Sequence, residues 1–169
     1  PEVPIMDGSS EPFLALLKDA GVKRLSSPRK VLRVLREVEV TLGESTASVS
    51  PHEGEEFGCT LDVEIDFAHP VIQRARAIYD FDDETFEGAL AQARTFGFAQ
   101  EVEYLRAQGL ARGGSLDNAI VVGDNGVLNP EGLRCDDEFI RHKALDCVGD
   151  LYLAGVRIES VEPRSRAAA

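Results

Sequence analysis

FGCTLDVEIDF, residues 57–67, sets Phe57, Cys59, Leu61, Val63, Ile65 and Phe67 on odd positions with polar residues or glycine between them. Successive side chains of an extended chain point to opposite faces, so this unbroken alternation describes a strand with one face buried and one face wet. Upstream, after the Ser26-Ser27-Pro28 break, Leu32, Val34, Val38, Val40 and Leu42 fall on even positions with Arg36 as the exception, which predicts a second half-buried strand. Downstream, a third extended stretch is expected around Arg74 to Phe81, and Asp82-Asp83 offers an N-cap to a helix through Phe86, Leu90 and Ala93. A short helix fits Gln100 to Ala107, ending near Gly109. The apolar run Ala119-Ile120-Val121-Val122 reads as a buried strand, and Asp124-Asn125-Gly126 as a hairpin turn into Val127-Leu128. Near the start, Asp7-Gly8 signals a turn, Ser10 is placed as an N-cap, and Phe13, Leu14, Leu16 and Leu17 give a short amphipathic helix closed by Gly21. Strands, helix, short helix, strand pair and long helix in that order predict an α+β domain, a mostly antiparallel sheet packed on helices.

The long helix is DEFIRHKALDCVGDLYLA, residues 137–154. At about 100° and 1.5 Å per residue, His142 and Asp146 point within about 40° of each other and lie about 6 Å apart along the axis, with Asp150 one turn further. Lys143 joins the same polar arc, while Ile140, Ala144, Cys147, Val148 and Leu151 fill the opposite face and Phe139 and Leu153 enter the arc from its two ends. Two readings stand on spacing alone: the solvated stripe of an ordinary amphipathic helix, or a face carrying metal ligands or proton carriers.

Composition narrows the function classes. A chain of 169 residues can bury a real core. Its 18 basic against 30 acidic side chains give a net charge of −12, which argues against a nucleic-acid footprint or a polybasic membrane anchor. No apolar run is long enough to span a bilayer. Cys59, Cys135 and Cys147 are widely spaced and form no CxxC pair, so neither a disulfide framework nor a thiolate zinc site is indicated, and a reducing cytoplasm is the expected compartment. Gly113-Gly114 is followed by no phosphate-loop pattern. The opening PEVPIMDGSSEP starts neither with Met nor with a signal peptide and reads as cut from something longer.

Three stretches together, PEVPIMDGSS at 1–10, ARTFGFAQEVEYLRAQGLARGGSLDNAIVV at 93–122 and LNPEGLRCDDEFIRHKALDCVGDLYLAG at 128–155, closely resemble the UDP-3-O-acyl-N-acetylglucosamine deacetylases, zinc amidases of bacterial lipid A synthesis. The resemblance is collinear over about residues 1–155. It implies two domains of β-α-α-β sandwich design packed through their helices, with residues 1–26 the end of the first, 27–155 most of the second, and 156–169 a divergent tail. It implies Zn2+ as cofactor, with His142 and Asp146 as two of three ligands, and Asp150 as a buried carboxylate supporting a catalytic His. By the same resemblance Lys143 contacts the UDP-sugar, Thr95 hydrogen-bonds the developing oxyanion, and Phe96 covers the sugar. Val102, Ala111, Leu116 and Val121 fall where the family passes the acyl chain of its acylated UDP-glucosamine substrate. Phe96 and these four positions are equally readable as ordinary core by composition.

The departures are as informative. The family's third ligand and its general base sit in a Glu-His motif upstream of the match to Pro1, so a first domain is implied as intramolecular partner. His52 and His69 match no family ligand and read as surface or turn histidines. After Gly155 the family runs to a Gly-His pair, where this chain has VRIESVEPRSRAAA without His. Two expectations follow: an enzyme chain carrying part of a deacetylase site and inactive by itself, or a non-catalytic binding domain in which the stripe is vestigial.

Overall fold

The computed structural model describes residues 3–51, 59–159 and 164–168, with 159 and 164–168 given by backbone alone. In chain order the elements are α1 (Glu11–Ala20), β1 (Val31–Arg33), β2 (Val38–Leu42), β3 (Ser45–Val49), β4 (Thr60–Asp66), β5 (Arg74–Asp80), α2 (Asp83–Thr85) running into a π-turn at Phe86–Leu90, β6 (Phe96–Phe98), α3 (Ala99–Ala107), β7 (Ile120–Gly123), β8 (Gly126–Val127), α4 (Glu138–Tyr152), β9 (Arg157–Glu159) and β10 (Arg164–Ala168). A five-stranded sheet runs β2-β3-β10-β4-β5, a three-stranded sheet β6-β7-β8, and β1 pairs with β9. Among the described residues four strand pairings are antiparallel and three, β4 with β10, β6 with β7 and β1 with β9, are parallel. The α+β class expected from the order of elements is the observed one.

Strand β4 is the centre of the core, as its alternation demands. Leu61, Val63 and Ile65 are fully buried under α4, which contributes Phe139, Ile140, Ala144 and Val148, with Ile120 and Val122 of β7 completing the cluster. Each such aliphatic side chain taken from water contributes about 1.5–3 kcal/mol. The polar positions of β4 face the other way: Asp62 accepts from Arg76 Nε at 2.8 Å and Glu64 from Arg74 Nη2 at 2.8 Å, both across to β5. The start of the predicted strand, Phe57, lies outside the described residues, as does His52.

Three expectations need correction. The even-numbered stretch 32–42 is not one strand: it breaks at 34–37, where Val34 turns inward while β1 and β2 join different sheets. Strand β2 is exposed along its whole length because it is the edge of its sheet, so Val38, Val40 and Leu42 alternate without being buried. The helix predicted from Asp82 through Ala93 ends early. Asp82 does cap it, accepting from Thr85 N at 2.7 Å, but a widened turn (Ala91 N to Phe86 O, 2.8 Å) stops it at Leu90. The carbonyls that a longer helix would consume are taken by tertiary partners: Ala91 O accepts from Ser10 N and Glu11 N, and Gln92 O from Arg134 Nη1. Ser10, third, stands at the N-cap position of α1 but its hydroxyl donates to Ala91 O at 3.1 Å instead of capping its own helix. Strands β3, β6, β9 and β10 are additions to the predicted set.

Segment 5–11 is thereby stitched to the turn at 91–95. Gly8 makes the closest approach, with φ +80° and an added Cβ falling 1.9 Å from the Asn118 carbonyl oxygen. Gly8→Ala is expected to cost at least about 2 kcal/mol in urea unfolding, from the left-handed backbone and the clash together. A loss under about 0.5 kcal/mol would show that the two backbones part without penalty.

Candidate functional site

Helix α4 presents His142 into the angle between itself and the 93–98 segment. His142 is 9% exposed. Its Nδ1 lies 3.3 Å from Ala93 O, and its Nε2 lies 3.3 Å from Asp146 Oδ1 one turn on. Both neighbours can only accept, so a neutral ring donates to one of them and turns its unprotonated nitrogen toward the other; with the hydrogen on Nδ1, it is Nε2 that faces the carboxylate bare. Burial pushes the His142 pKa below its ordinary 6.5, against the opposing pull of Asp146 and the Ala93 carbonyl. The neutral ring then sets one lone pair against another unless a cation or a proton lies between them.

The pair has the dimensions of half a tetrahedral zinc site. Two donors at about 2.0–2.1 Å from a tetrahedral ion are separated by about 3.3–3.4 Å, and Nε2 and Oδ1 are 3.3 Å apart. Metal-bound imidazoles take such a contact from their other ring nitrogen, and the Ala93 carbonyl stands where it would give it to Nδ1. Residues and spacing therefore fit a zinc ion as two of its ligands. Among the described residues, no group of three His, Cys, Asp or Glu side chains is assembled for a metal.

Around this pair stand the other predicted residues. Phe96 packs edge-on against Phe139 at 5.0 Å and His142 at 6.2 Å, and Lys143 Nζ sits 5.3 Å above its ring. Lys143 Nζ is also 3.4 Å from Asp146 Oδ2, a half-exposed contact worth little by itself. On its far side Phe96 joins Thr95, Val102, Ala111, Leu116 and Val121 in lining one open groove of about 1000 Å³ between α3, the 111–116 loop and β7. Ile5, from the stitched N-terminal segment, lines the same groove and was not singled out by sequence. Asn129 shapes the floor: its Nδ2 donates to Leu116 O and Ala119 O at 2.8 and 2.9 Å, and its Oδ1 accepts from Val121 N at 2.8 Å. Six of the predicted residues thus share one groove, and Phe96 touches the His142 side as well.

Asp150 departs from expectation. It is exposed, not buried, because it lies past the packed middle of α4 on a face that no described element covers. His69 is a turn residue whose Nδ1 accepts from Val71 N, stacked near Phe98 and apart from the His142 pair.

A buried ion pair missed in the sequence holds this arrangement. Arg94 is 2% exposed and Glu138, at the head of α4, 0%. Arg94 Nε donates to Glu138 Oε1 at 2.9 Å and Nη2 to Oε2 at 3.1 Å, while Nη1 reaches Glu131 at 2.7 Å and Nη2 the Gly132 carbonyl at 2.8 Å. Burial by itself raises the Glu138 pKa, but Arg94 and the backbone N–H groups of Arg134 and Arg94 overcome it and hold the carboxyl below its ordinary 4.5. Asp7, opposed by burial but bonded to Arg134 and Ser9, is likewise held below 3.8. Folded-state values below unfolded ones stabilise the fold above the unfolded pKa and lose that contribution as pH falls through the folded one. Urea midpoints are therefore expected to stay level from pH 7 to about 5 and to drop steeply below about 4.5. In Glu138→Gln that drop should be shallower, and an equal drop in both proteins would assign it to other carboxylates.

The profile of the UDP-3-O-acyl N-acetylglycosamine deacetylase family matches residues 1–164. The chain belongs to this family. Among the deacetylases it resembles, the UDP-3-O-acyl-N-acetylglucosamine deacetylase of Sulfurimonas denitrificans is 51% identical over 155 residues, covering 92% of this chain and 51% of that protein. Those of Shewanella oneidensis and a Geobacter species are 48% and 51% identical, covering 92% and 94% of this chain and 50% of each relative. This deacetylase-family chain spans about half the length of the curated relatives it matches.

Proposed function

We propose that this chain carries one part of a zinc-dependent deacetylase site acting on an acylated UDP-N-acetylglucosamine in lipid A biosynthesis. The observation that carries the reading is the 3.3 Å spacing of His142 Nε2 and Asp146 Oδ1, with Nδ1 tied to Ala93 O. When bound there, zinc supplies a water of lowered pKa and polarises the amide carbonyl. The chain's own residues do the rest of what can be assigned. Thr95, in the groove lining, offers a hydroxyl to the developing oxyanion. Lys143 brings a point charge suited to a diphosphate, and Phe96 an apolar surface for the sugar. The groove of Val102, Ala111, Leu116 and Val121 takes the acyl chain. Asp150 lies in reach of solvent for a partner His from outside the described residues.

In this reading residues 1–26 close a first domain, 27–155 form most of a second, and the remaining ligand and the general base come from the Glu-His motif of the first. The 169-residue chain by itself then binds zinc weakly and hydrolyses nothing. The competing reading is a vestigial binding domain in which the His142 and Asp146 stripe holds no metal. Zinc titration of the isotope-labelled chain decides between them. The expected result is saturable binding at roughly micromolar affinity or weaker, with the His142 Nε2 resonance moving and His69 still. An unmoved His142 resonance at millimolar zinc would defeat the proposal.

A further inference from the structure

Glu138 and His142 sit one helical turn apart and grip opposite ends of the same peptide group. The Ala93–Arg94 peptide donates its N–H to Glu138 Oε1 at 3.0 Å, and its C=O stands 3.3 Å from His142 Nδ1. A trans peptide is planar with N–H and C=O directed oppositely, so fixing one end aims the other. We infer that Glu138 is a positioning residue for His142, acting through this peptide: the buried carboxylate holds the Ala93 carbonyl where it selects the Nδ1–H tautomer and leaves Nε2 for a metal. This rests on the zinc reading only for its consequence, since the tautomer is a property of the metal-free chain.

Several details show that the grip is on the peptide and not only between charges. Glu138 is fully buried and carries four donors: Arg94 N, Arg94 Nε, Arg94 Nη2 and Arg134 N, the last at 2.6 Å to Oε2. Arg94 is in turn saturated by Glu131 and the Gly132 carbonyl, so it cannot swing away from the carboxylate. Arg141, on the same helix, donates to the Ala89 carbonyl at 3.1 Å, so the backbone is tied to α4 on both sides of Ala93. A carboxylate accepting the N–H also polarises the peptide, strengthening its carbonyl as acceptor for the imidazole. Electron density pushed onto the ring in this way raises its strength as a ligand.

The test is made on the metal-free, isotope-labelled 169-residue chain, whose three histidines give resolvable ring nitrogens. The wild type is expected to show His142 as the Nδ1–H tautomer and a through-hydrogen-bond coupling from Arg94 N to the Glu138 carboxyl carbon. In Arg94→Met/Glu138→Met, which removes both charges together, the tautomer should become a mixture with Nε2–H populated. In Val148→Ala, a core truncation that weakens the fold without touching the peptide, it should not change. Zinc affinity of the double variant should fall on the order of tenfold, the usual effect of losing an outer-shell partner. A wild-type His142 in the Nε2–H form, an absent coupling, or a folded double variant with an unaltered tautomer would each overturn the inference. Should the double variant fail to fold, the two wild-type measurements decide. If the wild type takes up no zinc at His142, the deacetylase reading fails while the tautomer result still judges the positioning role.

Discussion

Glu138→Ala and Arg94→Ala are each expected to destabilise the fold by about 3–5 kcal/mol, among the largest single-residue losses in this chain, because each leaves its partner charged and buried without compensation. Glu138 is 0% exposed and Arg94 2%, and together they join the head of α4 to the backbone beneath the groove. For a domain of this size that loss lowers Tm by roughly 10 °C. Arg94→Met/Glu138→Met should cost far less than the sum of the two single changes, since it removes both charges at once and leaves apolar side chains of similar volume. Urea unfolding of the three variants measures this. Additive losses, or single losses below about 1 kcal/mol, would show that solvent reaches the pair and that the clamp is not what docks α4.

The second large effect is expected at the ligand pair. On the proposed deacetylase reading, in a chain extended to the length of its relatives, His142→Ala and Asp146→Ala should each lower bound zinc well below one per chain and cut acetate release from an acylated UDP-N-acetylglucosamine more than about a hundredfold, because the proposed site of three protein ligands would lose a third of them. Their folding free energies should shift little in the case of Asp146, which is exposed, and more for the buried His142. Metal content by elemental analysis and a direct acetate assay separate the two readings of the stripe. Full zinc loading with full turnover in either variant would end the assignment of these residues as ligands.

Much of this architecture is visible in the chain itself, for reasons that particular residues make plain. Leu61, Val63 and Ile65 alternate with Asp62 and Glu64, and period two in hydrophobicity is the physical signature of a strand with one covered face. That His142 and Asp146 share one helix face follows from helical pitch alone, whereas their 3.3 Å approach also depends on how the Ala93 carbonyl sets the imidazole. The groove is a different matter. Val102, Ala111, Leu116 and Val121 carry no signal that separates a groove wall from a core, and only their family resemblance set them together before the fold did. What misled was context. Val38, Val40 and Leu42 alternate like Leu61 and Val63, yet they lie on an edge strand with nothing described above it.

The amino-acid pattern by itself therefore determined the central strand β4, the long helix α4 with the face carrying His142 and Asp146, and membership of the deacetylase family, because periodicity and local spacing are properties of consecutive residues. Only the tertiary structure decided that Glu138, one more acid in a chain with 30, is buried, and that it grips the peptide whose carbonyl faces His142. A charge is buried only where a distant partner desolvates with it. The 44-residue separation between Arg94 and Glu138 is set by folding and by no local rule.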